Sequence, residues 1–260
     1  MDIEIKYGPS KKRLCLYTDN IGQVLPLDYI ENQAITTSTV AGKLEKPKKV
    51  NMKTVEIPEN INFGAIEQLL QSEISEIGQL SIPEDFGKTL VYMGGCPYSP
   101  LMFIGEAPGA DEDFHGEPFI GLAGKKLTEI IEGGLRVPRE AVTICNLLKH
   151  RPPDNRNPKT DEIEKYEIYL ENQIDLLKPA VIITLGKFAT NWVLNNPQST
   201  AIKASRGRVH ELDTGIRVVA TYHPSYLIRQ YSVQNRRAIL KDMTMVVDLL
   251  TSMNLYPWWI

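Results

Sequence analysis

Leu101-Met102-Phe103-Ile104-Gly105-Glu106-Ala107-Pro108-Gly109 decides the fold class. Four apolar residues end at a glycine, and an acidic, proline-containing loop follows at once. A continuous apolar run of this kind reads as a strand buried on both faces. Three more runs share the design. Val142-Thr143-Ile144-Cys145 ends in Asn146, Val181-Ile182-Ile183-Thr184-Leu185 in Gly186, and Val218-Val219-Ala220-Thr221 in Tyr222-His223-Pro224. Helical stripes accompany them. One carries Ile163, Tyr166, Leu170, Ile174 and Leu177; another carries Ile239, Met243, Val246, Val247 and Leu250. Buried strands alternating with helices predict an α/β fold, a three-layer αβα sandwich around a central, mostly parallel four-stranded sheet. Ligands of such sheets bind beyond the carboxyl ends of the strands, so the chemistry is expected just after each apolar run.

Upstream the pattern changes. Ile66, Leu69, Leu70, Ile74 and Ile77 predict one more helix with a single apolar face. Before it, Ile3–Tyr7 and Leu14–Tyr17 flank the turn signal Gly8-Pro9-Ser10 and read as a hairpin. Lys43–Lys49, basic and proline-containing, reads as a linker. Residues 1–60 are therefore expected to form an N-terminal extension and residues 61–260 the main domain.

Composition bounds the function. The 260 residues are 42% hydrophobic and 23% charged, an ordinary globular balance. No apolar stretch suits a membrane span or a signal peptide, so a cytoplasmic protein is expected. The formal net charge of −3 does not advertise nucleic-acid binding. Between Lys203 and Lys241, however, eight Lys and Arg face only Glu211 and Asp213. Such a local basic tract attracts phosphates, though a solvated surface gives the same count.

The strand ends carry the candidate chemistry. After Ile104 come Glu106, Asp111, Glu112 and Asp113, all general-base candidates, and then Phe119, a flat face for stacking. Asn146 offers an amide and a carbonyl to a ligand edge. Lys149-His150-Arg151-Pro152-Pro153-Asp154-Asn155-Arg156 continues as a stiff basic loop. His223 sits at the rim of the same cleft. Tyr226, Leu227 and Ile228 beside Arg229 have the make-up of an apolar wedge for a base stack. Each also fits an ordinary role: a solvated acidic loop, an Asn cap, a structural histidine, a helix start that buries Leu227.

Taken in order, these pieces resemble the uracil-DNA glycosylase superfamily, and within it family 4. The resemblance rests on Gly105-Glu106-Ala107-Pro108-Gly109 with Glu112-Asp113, Gly116, Pro118-Phe119, Gly121 and Ala123-Gly124. It continues through Asn146, Lys149, Arg151–Arg156 and Arg206-Gly207 to His223–Arg229. It implies an enzyme that hydrolyses the N-glycosidic bond of a flipped-out deoxyuridine in DNA, as in base-excision repair. Glu106 or Glu112 handles the water, with Ala107 where some relatives place an Asp. His223 donates to the leaving base. Ala107, Phe119 and Asn146 hold uracil. Arg151, Arg156, Arg206, Ser225, Tyr226, Leu227 and Arg229 meet the DNA.

In one respect the sequence departs from the family, which usually carries an iron–sulfur cluster on four cysteines. Ser75–Gln79 has no cysteine where the first two are expected, and His150 and Tyr166 stand at the other two positions. None of Cys15, Cys96 and Cys145 falls at a cluster position, and Cys145 reads as a small buried hydrophobe. The expectation is no metal and no cofactor, with packing around His150 and Tyr166 in the cluster's place. The expected partner is uracil-containing DNA, with no membrane and no protein partner assigned. A DNA-binding or replication partner that kept the fold without catalysis is the alternative, with Tyr256–Ile260 as a docking element.

Overall fold

The computed structural model describes residues 63–196 and 200–257. The expectations for residues 1–60 and for Trp258-Trp259 lie outside them.

Strands β1 (Gly94–Gly95), β2 (Leu101–Gly105), β3 (Thr143–Asn146), β4 (Val181–Leu185), β5 (Val209–Glu211) and β6 (Arg217–Thr221) form one sheet in the order β1-β3-β2-β4-β6-β5. The four expected strands are its parallel centre. The sheet has six strands, not four: β1 and β5 add one short antiparallel strand at each edge.

Helices cover both faces, and successive residues of each strand divide between them. Leu101, Phe103, Ile144, Val181, Ile183 and Val219 pack with helix α3 (Leu122–Ile130), a π-helical turn (Ile131–Leu135) and the long C-terminal helix α8 (Val233–Ser252). Met102, Ile104, Cys145, Ile182 and Val218 pack with α1 (Phe63–Ile77), α4 (Thr160–Leu177) and α5 (Lys187–Val193). Three short helices complete the set: α2 (Ala110–His115), α6 (Ile202–Ser205) and α7 (Pro224–Arg229). The strand interiors are fully buried, which is why the apolar runs show no alternation in sequence.

Two helix faces differ from the expected stripes. On α1, Leu69 is exposed while Glu73 is buried between Leu70 and Ile77. On α4, Gln173 is buried between Leu170 and Leu177. Helical geometry places residues 70, 73 and 77 on one face, and likewise 170, 173 and 177. The inward faces therefore each contain one polar residue.

The register aligns the strand ends. Gly105 pairs with Asn146, and Leu185 with Thr221. The four loops leaving β2, β3, β4 and β6 thus start at one level, on the rim where such sheets bind ligands.

Candidate active site

A cavity of about 630 Å³ opens on that rim. Glu106, Ala107, Phe119, Asn146, Arg156, His223, Ser225, Tyr226 and Arg229 all line it, as does Glu112.

Its floor is built by a missing side chain. A Cβ at Gly105 would overlap both the Asn146 carboxamide oxygen and the Phe119 ring. Phe119 itself adopts a left-handed backbone, φ 56°, unusual for an aromatic residue. A Cβ at Gly124 would collide with its carbonyl, so that glycine permits the bend that presents the ring.

Asn146, at the end of β3, is almost fully buried, yet its Oδ1 has no hydrogen-bond partner among the described residues. A buried carbonyl left unpaired costs roughly 1–3 kcal/mol. An atom of this kind lining a cavity is an unfilled acceptor awaiting a donor.

The two acids separate cleanly. Both carboxylate oxygens of Glu112 are occupied by backbone N–H groups: Gly109 donates at 3.0 Å, Ile120 at 2.9 Å and Gly121 at 2.9 Å. Glu112 therefore ties the Pro108-Gly109 loop to the Phe119 turn. The carboxylate of Glu106 makes no hydrogen bond among the described residues. Burial pushes its pKa up to about 7, with Arg229 and Lys187 pulling the other way. A partly buried carboxyl that titrates near neutrality has the properties of a general base.

His223 caps helix α7. Its Nδ1 accepts from the Ser225 backbone N–H at 3.2 Å and lies 2.7 Å from the Ser225 hydroxyl. An Nδ1 that accepts from an N–H carries no proton, so the neutral ring is protonated at Nε2. Burial, reinforced by Arg229, lowers its pKa to about 4. The ring is neutral at physiological pH and keeps one N–H donor free of any partner among the described residues.

Residues 93–244 match the family described as the uracil DNA glycosylase superfamily. The chain belongs to the uracil DNA glycosylase superfamily. It is 42% identical to the Type-4 uracil-DNA glycosylase of Archaeoglobus fulgidus over 161 residues, 60% of this chain and 79% of that protein. Similar relatives of the same name occur in Saccharolobus solfataricus, 40% identical over 64% of this chain and 79% of that protein, and in Thermotoga maritima, 39% identical over 62% and 83%.

Not every residue expected at this glycosylase cleft reaches it freely. Arg206 pairs with the buried Asp242 at 2.7 Å and lies over the Tyr222 ring, 4.6 Å from its centroid. Asp242 also accepts from the Thr221 hydroxyl at 2.8 Å, so this pair anchors the end of β6. Arg156 grips Glu162 through both terminal guanidinium nitrogens, at 2.8 and 2.5 Å. Arg151 donates to Asn155 at 2.8 Å and borders a separate cavity of about 610 Å³ with Lys88 and Phe114. Leu227 is buried in the core, whereas its neighbour Ile228 is 45% exposed. Tyr226 stacks on Tyr222, ring centroids 4.8 Å apart.

The rim also holds residues outside the expected set. Lys187 and Phe188 follow β4, and Lys203 lies on α6; all three line the cavity. The rule that located the other strand ends points to Lys187 and Phe188 as well, directly after Gly186.

The positions where family 4 carries cysteines do not fit an iron–sulfur cluster. His150 and Tyr166 are both buried and joined by a 2.8 Å hydrogen bond between Nδ1 and the phenol oxygen. A phenol and a neutral imidazole committed to each other are not the thiolates such a cluster requires. Among the described residues no group of three or more His, Cys, Asp or Glu converges as a metal site. No described helix is long and apolar enough to cross a membrane.

Proposed function

We propose that this chain hydrolyses the N-glycosidic bond of a deoxyuridine flipped out of DNA, releasing uracil and leaving an abasic site. The unpartnered Oδ1 of Asn146 carries the reading. It accepts from uracil N3–H while the Asn146 amide donates to O4. Cytosine offers the opposite pattern, an acceptor at N3 and a donor at N4, and is rejected. Phe119 supplies the stacking face.

The reaction then divides between two side chains. Glu106, ionised, takes a proton from water as the water oxygen bonds to C1′. The C1′–N1 bond breaks, and its electron pair leaves with the base. His223 donates from Nε2 to O2, where the negative charge gathers. The sugar passes through an oxocarbenium-like state. A preoriented neutral donor stabilises the departing anion without reorganisation. Glu112 positions the loop and takes no proton.

Lys187, Lys203 and Arg229 are suited to the flanking phosphates. Ile228, exposed beside Arg229, is suited to filling the gap in the stack. No step uses a metal or cofactor, and the His150–Tyr166 pair takes the cluster's structural place. An iron–sulfur absorbance band in purified protein would overturn that part. The cytoplasm is the proposed compartment.

The test is direct. Protein is incubated with a uracil-containing oligonucleotide, single- or double-stranded, and abasic sites are cleaved with alkali. Strand breaks at uracil are expected. Their absence on both substrates would support the non-catalytic alternative.

A further inference from the structure

Lys149 is a fully buried lysine. An ammonium out of water is tolerated only where its donors are matched. It has three N–H donors, and the structure provides three carbonyl acceptors. Nζ lies 2.7 Å from Gln173 Oε1, 3.0 Å from the backbone carbonyl of Asn146 and 3.4 Å from that of Tyr92. The acceptors come from α4, from the end of β3 and from the segment before β1. Lys149 also lies 5.6 Å from the Tyr92 ring centroid, and the Tyr92 hydroxyl donates to buried Glu73. The two polar residues on the inward faces of α1 and α4 thus belong to one buried cluster built around this ammonium.

The cluster adjoins the cleft from behind. The Asn146 backbone carbonyl, at the last residue of β3, accepts from Lys149 Nζ. The backbone between them is fixed too: Leu147 N–H donates to Gly105 at 3.1 Å, Leu148 N–H to Glu106 at 3.1 Å, and the Lys149 carbonyl accepts from Val91 at 2.9 Å. Rotation of the Asn146 peptide would break the buried charge's contact at once.

We infer that Lys149 is a positioning residue for base recognition, clamping the Asn146 backbone so that its carboxamide meets the uracil edge. The inference rests on the reading of Asn146 given above. Lys149 touches neither base nor DNA; it acts through Asn146 alone.

The readout must separate base recognition from stability and from DNA grip. Lys149→Met removes the donors at similar length. Affinity for free uracil is expected to fall at least tenfold, with kcat on uracil DNA falling tenfold or more. Affinity for abasic-site DNA is expected to stay within twofold. Leu170→Ala, a core truncation on α4, is the control: it should lower Tm and leave uracil affinity within twofold. If K149M does not fold, Lys149→Gln, which retains an N–H donor, should show the same split in smaller measure, about three- to tenfold. Equal losses of uracil and abasic-DNA affinity, no loss of either, or the same uracil loss in L170A would each overturn the inference. A wild-type protein that neither binds uracil nor cleaves uracil DNA would instead defeat the underlying reading of Asn146.

Discussion

The hydroxyl of Ser225 lies 2.7 Å from Nδ1 of His223 and is thereby turned toward the imidazole ring. Together with the Ser225 N–H it keeps the proton of the neutral imidazole on Nε2. Ser225→Ala deletes one of these contacts and keeps the other. A lost hydrogen bond of about 1 kcal/mol corresponds to a kcat reduced about fivefold to tenfold. Single-turnover kinetics should show that fall with little change in DNA affinity.

The proposed role of Glu106 requires its ionised form, and its pKa stands at about 7. The ratio kcat/KM is therefore expected to rise with pH through about 7. His223, at about 4, is already neutral across that limb. Arg229 lowers the Glu106 pKa, so Arg229→Ala should move the ascending limb to higher pH. A pH–rate series on both proteins checks the direction. An unmoved limb would remove Glu106 from the role.

The same burial has a cost in stability. The folded pKa of Glu106 is raised from an ordinary 4.5 to about 7. Its favourable contribution is complete below the unfolded value and is lost as pH climbs through the folded one. Glu106→Gln, inactive, should therefore be more stable than wild type at pH 8 by about 1–2 kcal/mol once solvent screening is allowed for. The difference should vanish near pH 4. Denaturant midpoints at the two pH values measure it.

Gly105→Ala places a methyl where the Asn146 oxygen and the Phe119 ring already meet. Overpacking of this kind costs roughly 1–3 kcal/mol. Activity should fall much further than that figure alone implies, because the displaced groups are the proposed recognition surface. Parallel Tm and excision assays distinguish the two effects.

Leu227 and Ile228 are adjacent and should behave as opposites. Leu227→Ala truncates a core residue and should cost about 2–5 kcal/mol of stability. Ile228→Ala should leave Tm unchanged and reduce excision from duplex more than from single-stranded DNA.

That pair also marks where sequence reading stops. The four parallel strands are legible because both faces are buried, so apolar runs of four or five residues stand out. Strand ends then locate Glu106, Asn146 and His223. Within Tyr226-Leu227-Ile228 every residue is apolar, and only the helix axis decides which one points inward. Arg206 and Asp242 are 36 residues apart, a pairing no local pattern announces. Glu112 was indistinguishable from Glu106 as an acid; three backbone donors, two of them from eight and nine residues downstream, set it apart. Glu73 and Gln173 interrupt their apolar stripes for a partner, Lys149, that lies in another element.

The short edge strands bear on a different hazard. Segments such as Val181-Ile182-Ile183-Thr184-Leu185 have the composition from which intermolecular β-stacks grow. Here each lies inside the sheet, while the margins are a Gly-Gly pair on one side and three residues on the other, where Glu211 pairs with Arg217. At the edges of this sheet so little backbone is left unpaired among the described residues that a second chain finds little template to extend there, and the sheet's most self-adhesive sequences stay out of reach for as long as the domain is folded.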